Sequence, residues 1–183
     1  MKHPTYAQAS FSAVTLAAVA MVIVVAVSNY LVQFPINDWL TWGAFSYPVT
    51  FLITDLVNRR FGPRTAGLVV GIGFLAAAAI SLGLAPWRIA VASASAYLIG
   101  QLLDVAIFDR LRRSSWWLPP LVSSTLGSLV DTLVFFSIAF AGTSLNWISL
   151  GAGDFSVKIA CALVFLAPFR ALMSRRDAAA IRA

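Results

Sequence analysis

Apolar residues run almost unbroken through six stretches of this 183-residue chain, with short polar breaks between them. The stretches cover roughly 10–32, 41–58, 65–85, 88–108, 117–141 and 154–173. A helix needs about 20 mostly apolar residues to cross a bilayer core, so each stretch predicts one transmembrane helix. The breaks carry helix-stopping chemistry. Pro35 and Asp38 divide the first pair, and Arg59, Arg60, Gly62 and Pro63 divide the second. Ala85-Pro86 marks a tight third turn. Arg110, Arg112 and Arg113 close the fourth stretch and Pro119-Pro120 open the fifth. Gly142, Gly151 and Gly153 are expected in the last loop. The predicted architecture is all-α and polytopic, one transmembrane domain over residues 1–183. The first stretch is about 20 residues long and leads into further spans, so it reads as a span and not as a removable signal peptide.

Within the stretches, polar residues fall on single helical faces. In the fifth, Ser124, Ser128, Asp131 and Phe135 follow each other at i, i+4, i+7 and i+11. In the fourth, Ser93, Tyr97, Gly100, Gln101, Asp104 and Phe108 share a face. In the second, Tyr47, Phe51, Thr54, Asp55 and Asn58 cluster on one side, and the first offers Ser28, Asn29 and Gln33 near its end. The third has almost no polar side chain and reads as a packing or lipid-facing helix. The Gly71-Ile72-Gly73 run reads as packing.

Composition supports the membrane class. Sixty per cent of residues are hydrophobic and only 11% are charged, against about a quarter in a soluble domain. Mean hydropathy is +0.87. The net charge of +6 would suit nucleic acid, but the charges lie at the ends of the stretches. One set of ends carries Lys2, Arg59, Arg60, Arg64, Arg110, Arg112, Arg113, Arg170, Arg175, Arg176 and Arg182; the other carries only Arg88 and Lys158. That asymmetry predicts cytoplasmic N and C termini and a multi-pass protein of the bacterial inner membrane, with lipid headgroups and not nucleic acid as the partner of the basic ends. Enzymatic chemistry has little to stand on. Cys161 and His3 are each alone, no HExxH run is present, and no P-loop offers a phosphate cradle. Neither a metal nor a cofactor is expected.

The acidic residues are the informative ones. The chain has seven Asp and no Glu, and Asp55, Asp104 and Asp131 fall inside apolar stretches. A carboxylate in hydrocarbon is expensive and needs a partner or a task. Asp55 has Arg59 at i+4, so an interface ion pair explains it as well as a functional site does. Asp109 with Arg113 reads as a solvated pair, and Asp154 with Lys158 as a structural pair whose lysine snorkels to the interface. Asp104 and Asp131 have no base at i±3 or i±4. Asp131 lies 14 residues into its stretch, roughly 21 Å from the start, and is the deepest charge. A polar cavity between helices is the expected surrounding. Gln101 one turn before Asp104 suits a planar heterocycle: the carboxylate accepts from ring N–H and amino groups, and the amide serves a carbonyl. Trp42, Phe45 and Tyr47 are candidates to stack on it. The candidate contacts are Asp131, Asp104, Gln101, Asn29, Asp55, Trp42, Phe45, Tyr47, Ser124 and Ser128. For the two serines, helix packing is at least as good an explanation.

These segments resemble a known family. Ser28-Asn29-Tyr30-Leu31-Val32-Gln33, Thr41-Trp42-Gly43-Ala44-Phe45-Ser46-Tyr47-Pro48, 51–62 with Thr54-Asp55-Leu56, and 96–112 with Gly100-Gln101-Leu102-Leu103-Asp104 carry the likeness. Trp116-Trp117, Ser123-Ser124-Thr125-Leu126-Gly127, 131–140, Asp154 and Lys158 continue it. Together they resemble the queuosine precursor transporter family. The resemblance implies import of 7-deazaguanines, namely 7-cyano-7-deazaguanine and 7-aminomethyl-7-deazaguanine, by a secondary transporter that does not itself hydrolyse ATP. A second reading is open: a substrate-binding membrane subunit that depends on a separate energising complex. Thr54-Asp55-Leu56-Val57 and Val130-Asp131-Thr132-Leu133 sit at comparable places in the second and fifth stretches. This short similarity is compatible with a 3+3 inverted repeat. The size is compatible with a homodimer, though no stretch marks its interface.

Overall fold

The computed structural model describes residues 6–37, 39–84 and 86–173. Lys2, His3, Asp38, Ala85, Arg175, Arg176 and Arg182, which entered the reading above, lie outside the described residues. The described chain forms α1 (Phe11–Leu31), a hairpin of β1 (Pro35–Asn37) and β2 (Leu40–Thr41), α2 (Gly43–Ser46), α3 (Val49–Phe61), α4 (Pro63–Leu84), α5 (Trp87–Leu111), α6 (Leu118–Phe140) and α7 (Trp147–Leu172). The two short strands pair antiparallel, with Pro35 opposite Thr41 and Asn37 opposite Leu40.

Five helices, α1, α4, α5, α6 and α7, are long and apolar enough to cross a membrane. Their large exposed side chains, among them Phe11, Leu16, Leu68, Leu75, Leu82 and Val164, are the expected lipid-facing surface. The predicted second span is not among the five. Pro48 has no N–H to donate to the ladder, and the segment divides there into α2 and the 13-residue α3. Asp55, Asn58, Arg59 and Arg60 make α3 polar. The Thr50 hydroxyl donates to the Tyr47 carbonyl at 2.8 Å beside the break. Broken helices in membrane proteins occur where surrounding protein covers the backbone, and α3 is covered, with Thr50, Phe51, Thr54, Asp55 and Asn58 all buried.

The last helix also differs from expectation. It starts at Trp147, not near 154, because the Asn146 side chain accepts from the Ser149 N–H and caps it. Gly151 and Gly153 are therefore helical and not in a loop. A side chain at Gly153 would collide with the Trp39 carbonyl, so this glycine lets the hairpin rest on α7.

Packing ties the two ends of the bundle differently. At one end, the Arg112 guanidinium donates to the carbonyls of Asn58 (2.6 Å) and Arg59 (3.1 Å), while Arg59 donates to the Arg112 carbonyl (2.9 Å). This arginine clamp joins the ends of α3 and α5, satisfying the Arg59 and Arg112 carbonyls that the helix C-termini leave open and giving the Asn58 carbonyl a second donor beside the Gly62 N–H. At the opposite end, which carries the hairpin, Arg88 donates to the Ile138 and Ala141 carbonyls at the end of α6. Between the ends, Met21, Val25, Val69, Val70, Ala77 and Tyr97 form an apolar core among α1, α4 and α5. The polar groups lie on the other side of α5, toward α3, α6 and α7.

Candidate functional site

In the half of the bundle nearer the hairpin, α1, α2, α5, α6 and α7 enclose a polar cavity. Ser28 and Asn29 come from α1, Gly43 from α2, Tyr47 from the break after it, and Ser93 and Ala96 from α5. Helix α6 adds Asp131, Phe135 and Phe136, and α7 adds Asp154 and Lys158. The cavity measures about 50 Å³, room for a few water molecules.

Its polar wall is one connected cluster. The Lys158 ammonium donates to Asp131 Oδ2 at 2.7 Å, lies 2.6 Å from Asp154 Oδ2 and donates to Thr132 Oγ1 at 3.1 Å. Tyr47 donates to Asp131 Oδ1 at 2.7 Å, and Thr132 donates to Asp154 at 2.8 Å. The lysine also lies 4.9 Å from the centre of the Tyr47 ring. Paired and hydrogen-bonded in this way, ions can persist in a dry interior. Opposite this cluster, Asn29 donates to Ser81 at 2.8 Å and accepts from Ser93 at 3.0 Å, which fixes its amide at the wall. Phe135 and Phe136, edge to face with centroids 5.1 Å apart, supply an apolar side.

Lys158 corrects the expectation drawn from Asp154. The i,i+4 pair forms, but the lysine does not snorkel: it is only 4% exposed and turned inward, because Asp131 offers a second carboxylate across the helix interface. Asp131, read as unpartnered, is thus held by a base 27 residues further along the chain. Asp55 likewise finds partners beyond its own helix. It accepts from Ser123 at 3.1 Å and from Ser124 at 2.9 Å. Arg59, whose charge also acts on Asp55, sits over the Phe108 ring and bonds the Arg112 carbonyl. Asp109 forms its ion pair with Arg112, at i+3.

The other candidates separate. Asn29, Tyr47 and Asp131 line the cavity. Ser124, Ser128 and Asp55 line a second, tighter space of about 10 Å³ between α3, α6 and α7, on the arginine side of Lys158. Gln101 is fully buried with both ends of its amide engaged, accepting from Thr54 at 2.6 Å and donating to Thr50 at 2.8 Å. Asp104 is fully buried and lines neither space. Trp42 and Phe45 are about half exposed and contact each other, with centroids 6.5 Å apart, outside the cavity lining. Lys158, Asp154, Thr132, Ser28 and Ser93 are the members that sequence reasoning did not select. The available signal was Lys158 itself, a cation inside an apolar stretch.

Comparison with known proteins places this architecture. Residues 41–85 and 81–173 match the family described as "Putative vitamin uptake transporter". The chain is 38% identical over 175 residues to the "Queuosine precursor transporter" of Escherichia coli K12, covering 80% of this chain and 79% of that protein. It is 34% identical over 188 residues to the "Probable queuosine precursor transporter" of Haemophilus influenzae, covering 80% of each. A Bacillus subtilis protein with the same description is 26% identical over 157 residues, covering 69% of this chain and 68% of that protein. No solved structure matches.

Proposed function

The chain belongs to this transporter family, and from that premise we propose that it imports 7-deazaguanine precursors of queuosine across the bacterial inner membrane without hydrolysing ATP. The observation that carries the reading is the cavity at Asp131, where ionised acceptors, a fixed amide and aromatic walls meet. A guanine-like edge presents adjacent N–H donors and a carbonyl. Asp131 accepts two hydrogen bonds from described residues, and a carboxylate has about four lone-pair sites, so acceptor capacity remains for ring N–H and amino groups. Asn29 and Ser93 face the same space, and the rings of Tyr47, Phe135 and Phe136 cover a base face. With the arginine end in the cytoplasm, as the charge asymmetry predicts, this cavity belongs to the outward half.

The test is uptake of labelled 7-cyano-7-deazaguanine by the purified chain in liposomes. Asp131→Asn, which keeps the shape but removes the charge-assisted acceptor, is expected to lower uptake by about tenfold to a hundredfold. Wild-type uptake by Asp131→Asn at normal folded yield would reject the site. Binding without uptake by the wild-type chain alone would favour the reading of a capture subunit that works with an energising complex.

A further inference from the structure

We propose that Asp55 and Asp104 form a proton-carrying pair that couples base movement to proton movement, at a site separate from the base cavity. This rests on the transport reading above.

Asp104 is the unusual group. It is fully buried on α5, and neither carboxylate oxygen has a hydrogen-bond partner among the described residues. Asp55 and Asp131, by contrast, each accept two. An ionised carboxylate placed like Asp104 bears its full desolvation cost. The side chains it faces are Asp55, Ser123 and Ser124, and both serine hydroxyls already donate to Asp55. A proton shared between the two carboxylates supplies the missing hydrogen bond and removes their repulsion. The other charges near the pair are Arg59, on α3 with Asp55, and Lys158 of α7, on the wall of the small cavity that Asp55 lines. Helix α6 presents serines.

A metal cation suits this place poorly. Coordinated cations in carriers are usually held by unwound backbone carbonyls, and α5 and α6 run unbroken past Asp104 and Ser123. No group of three potential metal-binding side chains occurs among the described residues.

Position gives the pair a route and a target. Asp104 is sealed, whereas Asp55 borders the small cavity, so the proton enters and leaves through Asp55. Loading takes H⁺ from water on the hairpin side, reached past Lys158 when the base cavity is open, and adds it to one carboxylate oxygen. Release breaks that O–H bond, returns H⁺ to water on the arginine side and leaves two like charges in contact. Lys158 lines both spaces and holds Asp131 and Asp154. The charge change at Asp55 therefore acts on the cation that ties the base cavity shut.

The experiment uses the full chain in liposomes with the membrane potential clamped. At one proton per base, an inward gradient of one pH unit drives labelled 7-cyano-7-deazaguanine to about tenfold accumulation, and an internal pH dye records proton entry. Asp104→Asn and Asp55→Asn are expected to keep counterflow exchange of the base near the wild-type rate while the accumulation ratio falls to unity. A second readout needs no base. The deuterium-sensitive infrared C=O band of a protonated carboxylic acid is expected in wild type and Asp131→Asn, and lost in Asp104→Asn. Gradient-driven accumulation by both pair variants, a sodium gradient that replaces the pH gradient, or absence of the band from wild type overturns the proposal. Absence of base exchange by wild type, with the band present, overturns the transport reading and with it the coupling, leaving only a buried proton.

Discussion

Lys158 stands between two carboxylates and two hydroxyl-bearing residues with almost no solvent contact. Removing it strands Asp131 and Asp154 as like charges. Lys158→Met is therefore expected to lower stability by about 3–5 kcal/mol, read as denaturant unfolding in detergent micelles. Adding Asp131→Asn should recover part of that loss; a double variant no more stable than Lys158→Met would show that the pair does not act as a unit. The depth of Asp131 was legible in the sequence, because its place on a helical face and its distance from both ends follow from counting. Its partner was not. Lys158 has Asp154 four residues before it, so a local pair satisfied the arithmetic, and no periodicity links positions 131 and 158. The same limit applies to Gln101. Its spacing to Asp104 suggested a binding edge, but the hydroxyls of Thr50 and Thr54 come from another helix and occupy both ends of the amide.

Among the elements, α5 and α6 pack tightly through glycines. A methyl group on Gly127 would meet the Gly100 carbonyl and the Phe51 ring at 2.9 Å, and one on Gly100 would meet Asp131 Cβ at 2.8 Å. Small residues let membrane helices come this near. Gly127→Ala is expected to cost about 1–3 kcal/mol by overpacking, seen as a lower midpoint in thermal unfolding. Gly71→Ala should be neutral or mildly stabilising by helix propensity, by up to about 1 kcal/mol, since nothing lies within 4 Å of that added atom. Equal losses in the two would contradict the packing account. The Gly71-Ile72-Gly73 run thus divides: Gly73 lies against Tyr97 and Met21, and Gly71 is open. Five of the predicted spans appeared as long helices because apolar length alone specifies them. The break at Pro48 needed knowledge of what covers α3, which comes from five other helices.

For the molecule as a whole, the basic residues do two jobs. Their distribution predicts cytoplasmic termini, so a reporter fused to either terminus is expected to be active only when the reporter works in the cytoplasm; activity of a periplasm-dependent reporter there would reverse the topology. Arg59 and Arg112 also close the arginine end by binding backbone carbonyls. The cluster around Lys158 bears on cargo in another way. Two carboxylates and one ammonium leave a formal charge of minus one inside an apolar bundle. A neutral base leaves that charge in place when it binds. An aminomethyl base held there, as the proposed function has it, carries an aliphatic amine protonated at neutral pH and would cancel the charge of this cluster. Under the proposed function the cluster is expected to act as an electrostatic filter that favours the cationic base over an anion of the same shape, read as competition against uptake of labelled 7-cyano-7-deazaguanine.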